Sequence, residues 1–349
     1  MKNMFISGIL AAGMLAAAGC TEVNPEYTAP EKPEAPEVDR TAFAKGADIS
    51  WCTEMESEGI KFYNADGVET ECTELMRQIG MNSIRLRVWV NPAEGWNGKG
   101  DVIAKALRAQ KLGMRLMIDF HYSDTWADPG SQTVPAAWSS YGIEEMKKAV
   151  AEHTADVLSG LKDCGIDVEW VQVGNETTDG MLWELGRCTT NPQNYTELNN
   201  AGYDAVKSVY PEAKVIVHLD GGQDNWKYRR IFGELKKYGG KYDMIGMSLY
   251  PSYDQSGWQG PTKSCIDNMK KVSSEYGCRV MVCEVGMPWD DAETAKAMLS
   301  YLMTEAKGTG VCDGVFYWEP EAPAGYNGGY QLGAFADGRP TAALDAFRD

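Results

Sequence analysis

The chain has 349 residues, 44% of them hydrophobic, with 50 acidic against 33 basic side chains and a formal net charge of −17. That length accommodates one large domain or two moderate ones, each with a substantial core. The acidity excludes nucleic acid as a partner, because a phosphate backbone would be repelled. It runs along the whole chain rather than forming a tail, as on a solvated acidic surface.

Residues 1–19 have the layout of a secretory signal: Lys2, an apolar Ala-rich run from Met4 to Ala18, then Gly19 before Cys20. At ~15 residues the run is short for a bilayer span. Ending on Gly19-Cys20, it resembles a bacterial lipoprotein signal, with Cys20 as the lipidated residue and that lipid as the sole membrane contact. Ala17 stands where such signals usually carry Leu. Residues 20–40 are rich in Pro, Glu and Ala, with Pro25, Pro30, Pro33 and Pro36 keeping the backbone extended. They read as a tether to a folded domain over 41–349, expected to be monomeric.

From there strands and helices alternate. The strand patterns cover 43–49, 83–89, 115–120, 168–173, 214–219, 242–248, 279–284 and 313–318. Helical patterns fall at 69–79, 102–112, 143–161, 195–209, 228–238, 264–276 and 292–306, and a short one at 341–347 closes the chain. Eight strands in strict alternation with helices predict a (β/α)8 barrel. A doubly wound open sheet would commonly carry a Gly-rich phosphate turn after its first strand, and residues 46–51, GADISW, offer none.

Eight cysteines follow Cys20, and export permits disulfides. Cys52 with Cys72 and Cys265 with Cys278 are local pairs within bridging reach, while Cys164, Cys283 and Cys312 read as buried thiols. His153 lies in a helical run and reads as a surface residue. No CxxC pair or His-rich cluster points to zinc.

Of eleven tryptophans, ten (51, 89, 96, 126, 138, 183, 226, 258, 289 and 318) fall at or just after the carboxyl end of a predicted strand, and Trp170 lies within one. In a barrel those points share the face that carries active sites. Flat amphipathic rings around one mouth suit sugars, whose C–H faces stack on aromatics. About half of them are expected to serve loop packing instead.

Two glutamates end strands. Glu176 follows the fourth, in residues 169–183, EWVQVGNETTDGMLW; Glu284 ends the seventh, in RVMVCE. A carboxylate at the end of a buried strand is costly and is kept mainly where chemistry needs it. The two strands lie ~135° apart around a ring of eight, so their ends face each other. Strict alternation with Glu284 inward places Val280 and Val282 inside the barrel, and Met281 and Cys283 toward the helices. Two carboxyls ~5 Å apart are the apparatus of a retaining glycosidase, one attacking while the other donates a proton.

Gly174-Asn175-Glu176 with a second strand-end glutamate resembles the large clan of retaining (β/α)8 glycoside hydrolases. Within it the chain is similar to the endo-β-1,4-galactanases, from about Ala44 to its end. The similarity rests on KGADISW at 45–51, NSIRLRVWVNP at 82–92, DFHYSDTWADPG at 119–130 and VQVGNETTDGMLW at 171–183. HLDGG at 218–222, SLYP at 248–251 and YWEP at 317–320 agree as well. The resemblance implies cleavage of β-1,4-galactan with no cofactor. It implies Glu176 as acid/base, Glu284 as nucleophile and Asn175 on the sugar 2-hydroxyl. Arg85 would lie beneath Glu284 and hold it ionised, Tyr250 would donate to Glu284, and Trp318 would floor the pocket. His121, Asp124, Trp126, His218 and Asp220 would bind hydroxyls, and Trp289 would also bind substrate. No metal is expected: barrel metallohydrolases start from an HxH pair on the first strand, which is missing. Residues 285–288, VGMP, stand where the family reads Thr-Asn-Trp-Pro, and only about seven residues separate Glu284 from the next helix, too few for the calcium loop of some bacterial members. The long Gly-rich segment 319–339, with Tyr326, Tyr330 and Phe335, is expected to form a substrate wall.

Overall fold

A computed structural model describes residues 38–251 and 257–348. The expected signal, the expected lipidation site Cys20 and all but the end of the expected tether lie outside the described residues. The eight expected strands form β1 (Ala44–Asp48), β2 (Ser83–Val88), β3 (Arg115–Phe120), β4 (Trp170–Val173), β5 (Lys214–Leu219), β6 (Met244–Leu249), β7 (Arg279–Val285) and β8 (Cys312–Trp318). They close in sequence order, each parallel to the next and β8 parallel to β1. The chain is a (β/α)8 barrel. Every residue of β2, β3 and β6 is buried, as parallel strands covered on both faces must be.

Helices α1 (Cys52–Ser57), α2 (Cys72–Ile79), α3 (Lys99–Lys111), α4 (Ile143–Asp163), α5 (Pro192–Val209), α6 (Asn225–Tyr238), α7 (Gln259–Tyr276) and α8 (Ala292–Gly308) connect them. Helices α3, α5, α6 and α7 start about a turn earlier than apolar periodicity predicts, because their first turns are largely polar. The side chain of Asp224 accepts from Lys227 N at α6, and that of Asp291 accepts from Thr294 N at α8. Helix α1, a 3-10 turn at Ala136–Trp138 and a ribbon pairing Phe335–Ala336 with Arg339–Pro340 carry no periodic signal and escape the sequence reading. The closing segment Ala342–Phe347 is 3-10 rather than α.

The barrel interior is built in two layers. The lower is apolar: Ala44, Met117, Trp170, Ile216, Met244, Met281, Cys283 and Phe316 form a cluster of their own, separate from the larger core between barrel and helices. Gly46 belongs here because a Cβ would sit 2.3 Å from the Phe316 ring. Above lies a polar layer of Asp48, Arg85, Asp119, Gln172, His218 and Ser248, each at most 1% exposed.

Strand β7 departs from strict alternation. Met281 and Cys283 face the interior cluster, while Val280 and Val282 join the outer core, the reverse of the expected assignment. The ladder with β6 explains how Glu284 still reaches the mouth. Met247 pairs with Val282 and Ser248 with Glu284, so Cys283 is an extra residue, and the bulge restores Glu284 to the inner face.

All eight described cysteines are free thiols, including both candidate pairs; Cys283 and Cys312 are buried as expected, but Cys164, just past α4, is exposed. His153 is half-buried rather than fully on the surface. It packs edge-on against Phe120, Tyr122 and Trp138, and burial pushes its imidazole down to about 4.

Candidate active site

Residues after β4 leave extended geometry abruptly. Gly174 has φ +88°, and a side chain there would meet Thr177 Cγ2 at 2.5 Å, so glycine is required. Glu176 itself has φ 43°, a conformation that costs a non-glycine residue on the order of 1–3 kcal/mol. The neighbouring backbone is pinned by Thr177 N donating to His218 O (2.8 Å) and by Thr177 Oγ1 meeting Tyr195 Oη (2.8 Å). The turn aims Glu176 across the mouth.

Arg85 organises the layer beneath. Its Nη1 donates to Asp48 Oδ2 (2.6 Å) and its Nε to Gln172 Oε1 (2.7 Å). Nη2 lies 2.8 Å from Glu284 Oε1 and 2.9 Å from both Asp119 Oδ2 and Asn175 Oδ1. Tyr250 Oη donates to the other oxygen of Glu284 at 2.7 Å. Glu176 has a different environment: its Oε1 accepts from Ser248 Oγ at 2.6 Å. Because Ser248 is also the register partner of Glu284, one residue of β6 brackets both carboxyl groups.

The electrostatics follow from these partners. Burial raises both carboxyls above the usual range. For Glu284, Arg85 and the Tyr250 hydroxyl pull back toward the anion. For Glu176 the charge of Glu284 adds to burial, and the single Ser248 bond opposes it weakly, so its proton is held well above the ordinary glutamate range. Of the two, Glu284 therefore gives up its proton more readily and Glu176 holds its proton more tightly.

Both open into one cavity of about 870 Å³ at the carboxyl ends of the strands. Its aromatic wall is Trp51, Trp126, Trp318 and Tyr330. Trp51 packs at 5.3–5.7 Å between centroids against the other three. Beneath them the Arg87 guanidinium sits 4.3 Å from the Trp126 centroid and 5.2 Å from that of Trp51, and is ion-paired to Glu319. An aromatic face beside two carboxyls of unlike environment is equipped to cut a glycosidic bond.

Comparison with known proteins agrees. Residues 44–347 match the model of "Glycosyl hydrolase family 53". The chain belongs to that family. It is therefore a glycoside hydrolase. An arabinogalactan endo-beta-1,4-galactanase of Humicola insolens is 33% identical over 303 residues, covering 79% of this chain and 89% of that one. An endo-beta-1,4-galactanase of Bacillus subtilis is 32% identical over 309 residues, covering 80% and 70%. A solved fungal beta-1,4-galactanase structure matches with a TM-score of 0.80 at 31% identity, covering 88% of this chain and 99% of the other.

Within this family 53 barrel the expected site residues fall at three depths. His121, Trp126, Asn175, Glu176, Asp220, Tyr250, Glu284 and Trp318 line the cavity. His121 Nδ1 accepts from Ala127 N (3.0 Å), so its Nε2 carries the hydrogen and donates to Asp119 Oδ2 (3.0 Å). Arg85 and His218 are fully buried beneath the lining, so they act through neighbours rather than by touching a sugar. Asp124 is a loop clamp, its oxygens accepting from Asn91 N (3.0 Å) and Ala136 N (2.9 Å). Trp289 is 41% exposed and stands outside the lining, although its neighbour Pro288 belongs to it. Of the long eighth segment, Asn327, Gly329, Tyr330, Gln331 and Leu332 line the cavity, whereas Phe335 packs on Phe62.

The sequence reading passed over Asp48, Asp119, Gln172 and Ser248. Their signal is present: Asp119 and Gln172 interrupt apolar runs, LMIDF in β3 and WVQV in β4. In a parallel strand covered on both faces such a residue must have a buried partner. Among the described residues, no group of three or more His, Cys, Asp or Glu side chains is placed to hold a metal ion.

Proposed function

We propose that this family 53 chain is a retaining endo-β-1,4-galactanase acting on galactan and type I arabinogalactan, with Glu176 as general acid/base and Glu284 as nucleophile. One observation carries the division of labour: Glu284 rests on Arg85 and Tyr250, Glu176 on Ser248 alone, and both face one cavity. The names of its relatives support the substrate and the endo mode.

In the first step a Glu284 oxygen attacks the anomeric carbon while Glu176 gives its proton to the departing glycosidic oxygen. A covalent galactosyl ester remains, with Glu176 now anionic. In the second step Glu176 takes a proton from water as that water attacks the same carbon, releasing the sugar and restoring both carboxyls. Asn175 is oriented for a sugar 2-hydroxyl by Arg85 on its Oδ1 and by its own Nδ2 donating to Ala127 O at 2.8 Å. Trp318 and Trp126 offer faces to the ring, with His121 and Asp220 beside them for hydroxyls. Trp289 serves a more distant sugar. No cofactor enters either step, and a rate unchanged by a chelator is expected.

Purified protein should cut linear galactan internally, giving a ladder of short oligosaccharides, and leave mannan, xylan and glucan intact. Turnover of one of those polymers instead would overturn the substrate. If wild type and Glu284→Gln bind galactan equally and neither cuts it, the chain is a binding module.

We further propose a monomeric domain over 41–349, exported by residues 1–19 and tethered through residues 20–40 to a lipid on Cys20. The sequence of residues 1–40 supports this. Cys20→Ser should move the protein from the membrane fraction to the soluble one; unchanged fractionation would refute the anchor.

A further inference from the structure

His218 and Ser248 are buried, at 0% and 1% exposure, and the two-step mechanism uses neither. They nevertheless connect the Arg85 network to Glu176. His218 Nδ1 lies 2.8 Å from Gln172 Nε2, His218 Nε2 lies 2.8 Å from Ser248 Oγ, and Ser248 Oγ lies 2.6 Å from Glu176 Oε1.

The direction of every hydrogen bond in this chain follows from the charges at its far end. Gln172 cannot be flipped. Its Oε1 accepts from Arg85 Nε (2.7 Å) and its Nε2 donates to Asp119 Oδ1 (2.9 Å), and the reverse orientation would set donor against donor and acceptor against acceptor. Gln172 Nε2 is therefore a donor, and we assign the shorter of the two Nδ1 contacts as the bond, so His218 Nδ1 accepts. Nδ1 also stands 3.0 Å from Asn175 Oδ1, an approach between two acceptors that the fixed orientations of both amides impose. With Nδ1 accepting, the neutral imidazole carries its hydrogen on Nε2 and donates it to Ser248 Oγ. The serine hydroxyl is then left one direction for its own hydrogen, toward Glu176 Oε1. Burial and the charge of Arg85 keep the imidazole neutral, with Asp119 opposing and His121 adding to the effect.

We propose that His218 and Ser248 are positioning residues that fix the exchangeable proton of Glu176 on Oε2. Oε1 is occupied as an acceptor, so Oε2 is the oxygen left to meet the departing glycosidic oxygen. When Glu176 becomes anionic after the first step, the same serine bond stabilises the carboxylate until it takes the proton from water. This rests on the reading of Glu176 as the acid/base. The other charged groups that act on Glu176 are Glu284 on β7, Asp220 after β5 and Arg85 on β2. None of them changes in the variants below.

The test measures kcat/KM against pH for wild type, Ser248→Ala, His218→Ala and His218→Gln, on galactan and on a dinitrophenyl β-galactobioside. The second substrate has a leaving group that departs without a proton. The bond from Ser248 lowers the pKa of Glu176, so removing it raises that pKa. The basic limb, set by loss of the Glu176 proton, then moves up. A shift of about half to one pH unit is expected in Ser248→Ala and His218→Ala. Galactan turnover should fall about tenfold, while dinitrophenyl turnover stays within about twofold. His218→Gln places an amide donor near the position of Nε2 and should recover most of the loss. Equal losses on both substrates, with an unmoved basic limb, would reduce the pair to scaffolding and overturn the proposal. Should His218→Ala fail to fold, Ser248→Ala, which removes one oxygen, carries the test. Failure of the parent reading looks different: Glu176→Gln would cut galactan as well as wild type does, and the positioning role would fall with it.

Discussion

The two mouth glutamates, chemically identical in the unfolded chain, are driven apart by what each touches. Glu284 meets a guanidinium and a phenol, whereas Glu176 meets one hydroxyl and the field of Glu284. Arg85 creates the difference. Arg85→Lys keeps a positive charge but loses the fork that spans Asp48, Gln172, Asn175 and Glu284. The Glu284 anion is then less stabilised and its pKa rises, so the acidic limb of kcat/KM against pH should move up while the basic limb stays near its wild-type position. A loss of ~10–100-fold in kcat/KM and of roughly 3 kcal/mol in stability is expected from breaking a buried charge network. A pH–rate profile and a urea titration check both, and an unmoved acidic limb would show that Arg85 does not set the state of Glu284.

At the scale of the element, the strands show what a barrel asks beyond alternation. Every strand except β2 supplies the apolar lower layer and β1 to β6 each supply the polar layer above it, and the fit is tight where side chains from neighbouring strands meet. Gly46 on β1 faces Phe316 on β8, and a methyl group there would lie 2.3–2.4 Å from two ring carbons. Gly46→Ala should therefore destabilise the fold by about 1–3 kcal/mol through overpacking. Adding Phe316→Leu should recover part of that loss, so the double variant costs less than the sum of the singles. Urea unfolding of the four proteins measures this, and simple additivity would mean that the two positions do not compete for the same space. The β7 bulge is the other device of this kind. Without the extra Cys283, an unbroken ladder would turn Glu284 toward the helices and leave Arg85 without one of its carboxylates.

For the whole molecule, the aromatic wall rests on charge that the chemistry does not use. Glu319 pairs with Arg87 and accepts from Trp51 N at 3.1 Å. Burial pushes Glu319 up to about 7 against the pull of Arg87, and burial together with the neighbouring Glu319 lifts Glu321 well above its ordinary range. Both folded-state values exceed the unfolded one, so the folded state holds protons that the unfolded state has released. The Glu319 contribution is present in full below about pH 4.5 and is lost as pH rises through about 7, on the order of 3 kcal/mol, and that of Glu321 is lost in the same direction. Stability by urea unfolding should accordingly fall between pH 5 and 8. Glu321→Gln removes one of the two carboxyls that hold a proton in the folded state and should flatten that slope, in part only because Glu319 and Glu176 titrate in the same sense. Parallel slopes for wild type and variant would mean that the Glu319–Glu321 pair does not control it.

The amino-acid sequence alone determined the eightfold alternation, the strand positions to within two residues, and the placement of Glu176, Glu284, Trp51, Trp126 and Trp318 at or just after strand ends. These are local properties, written in apolar runs and in the residues that interrupt them. Tertiary structure decided which faces of those strands look inward. Cys283 as a bulge, Val280 and Val282 on the outside, Asp124 as a clamp and His218 beneath the lining all depend on how far one strand is staggered against the next. The Arg85 network gathers side chains from β1, β2, β3, β7 and the β4 end, up to 236 positions apart between Asp48 and Glu284. No window along the chain contains such a set. It exists only once the sheet has closed on itself, because closure brings polar side chains from distant strands into one dry layer where each must find its partner.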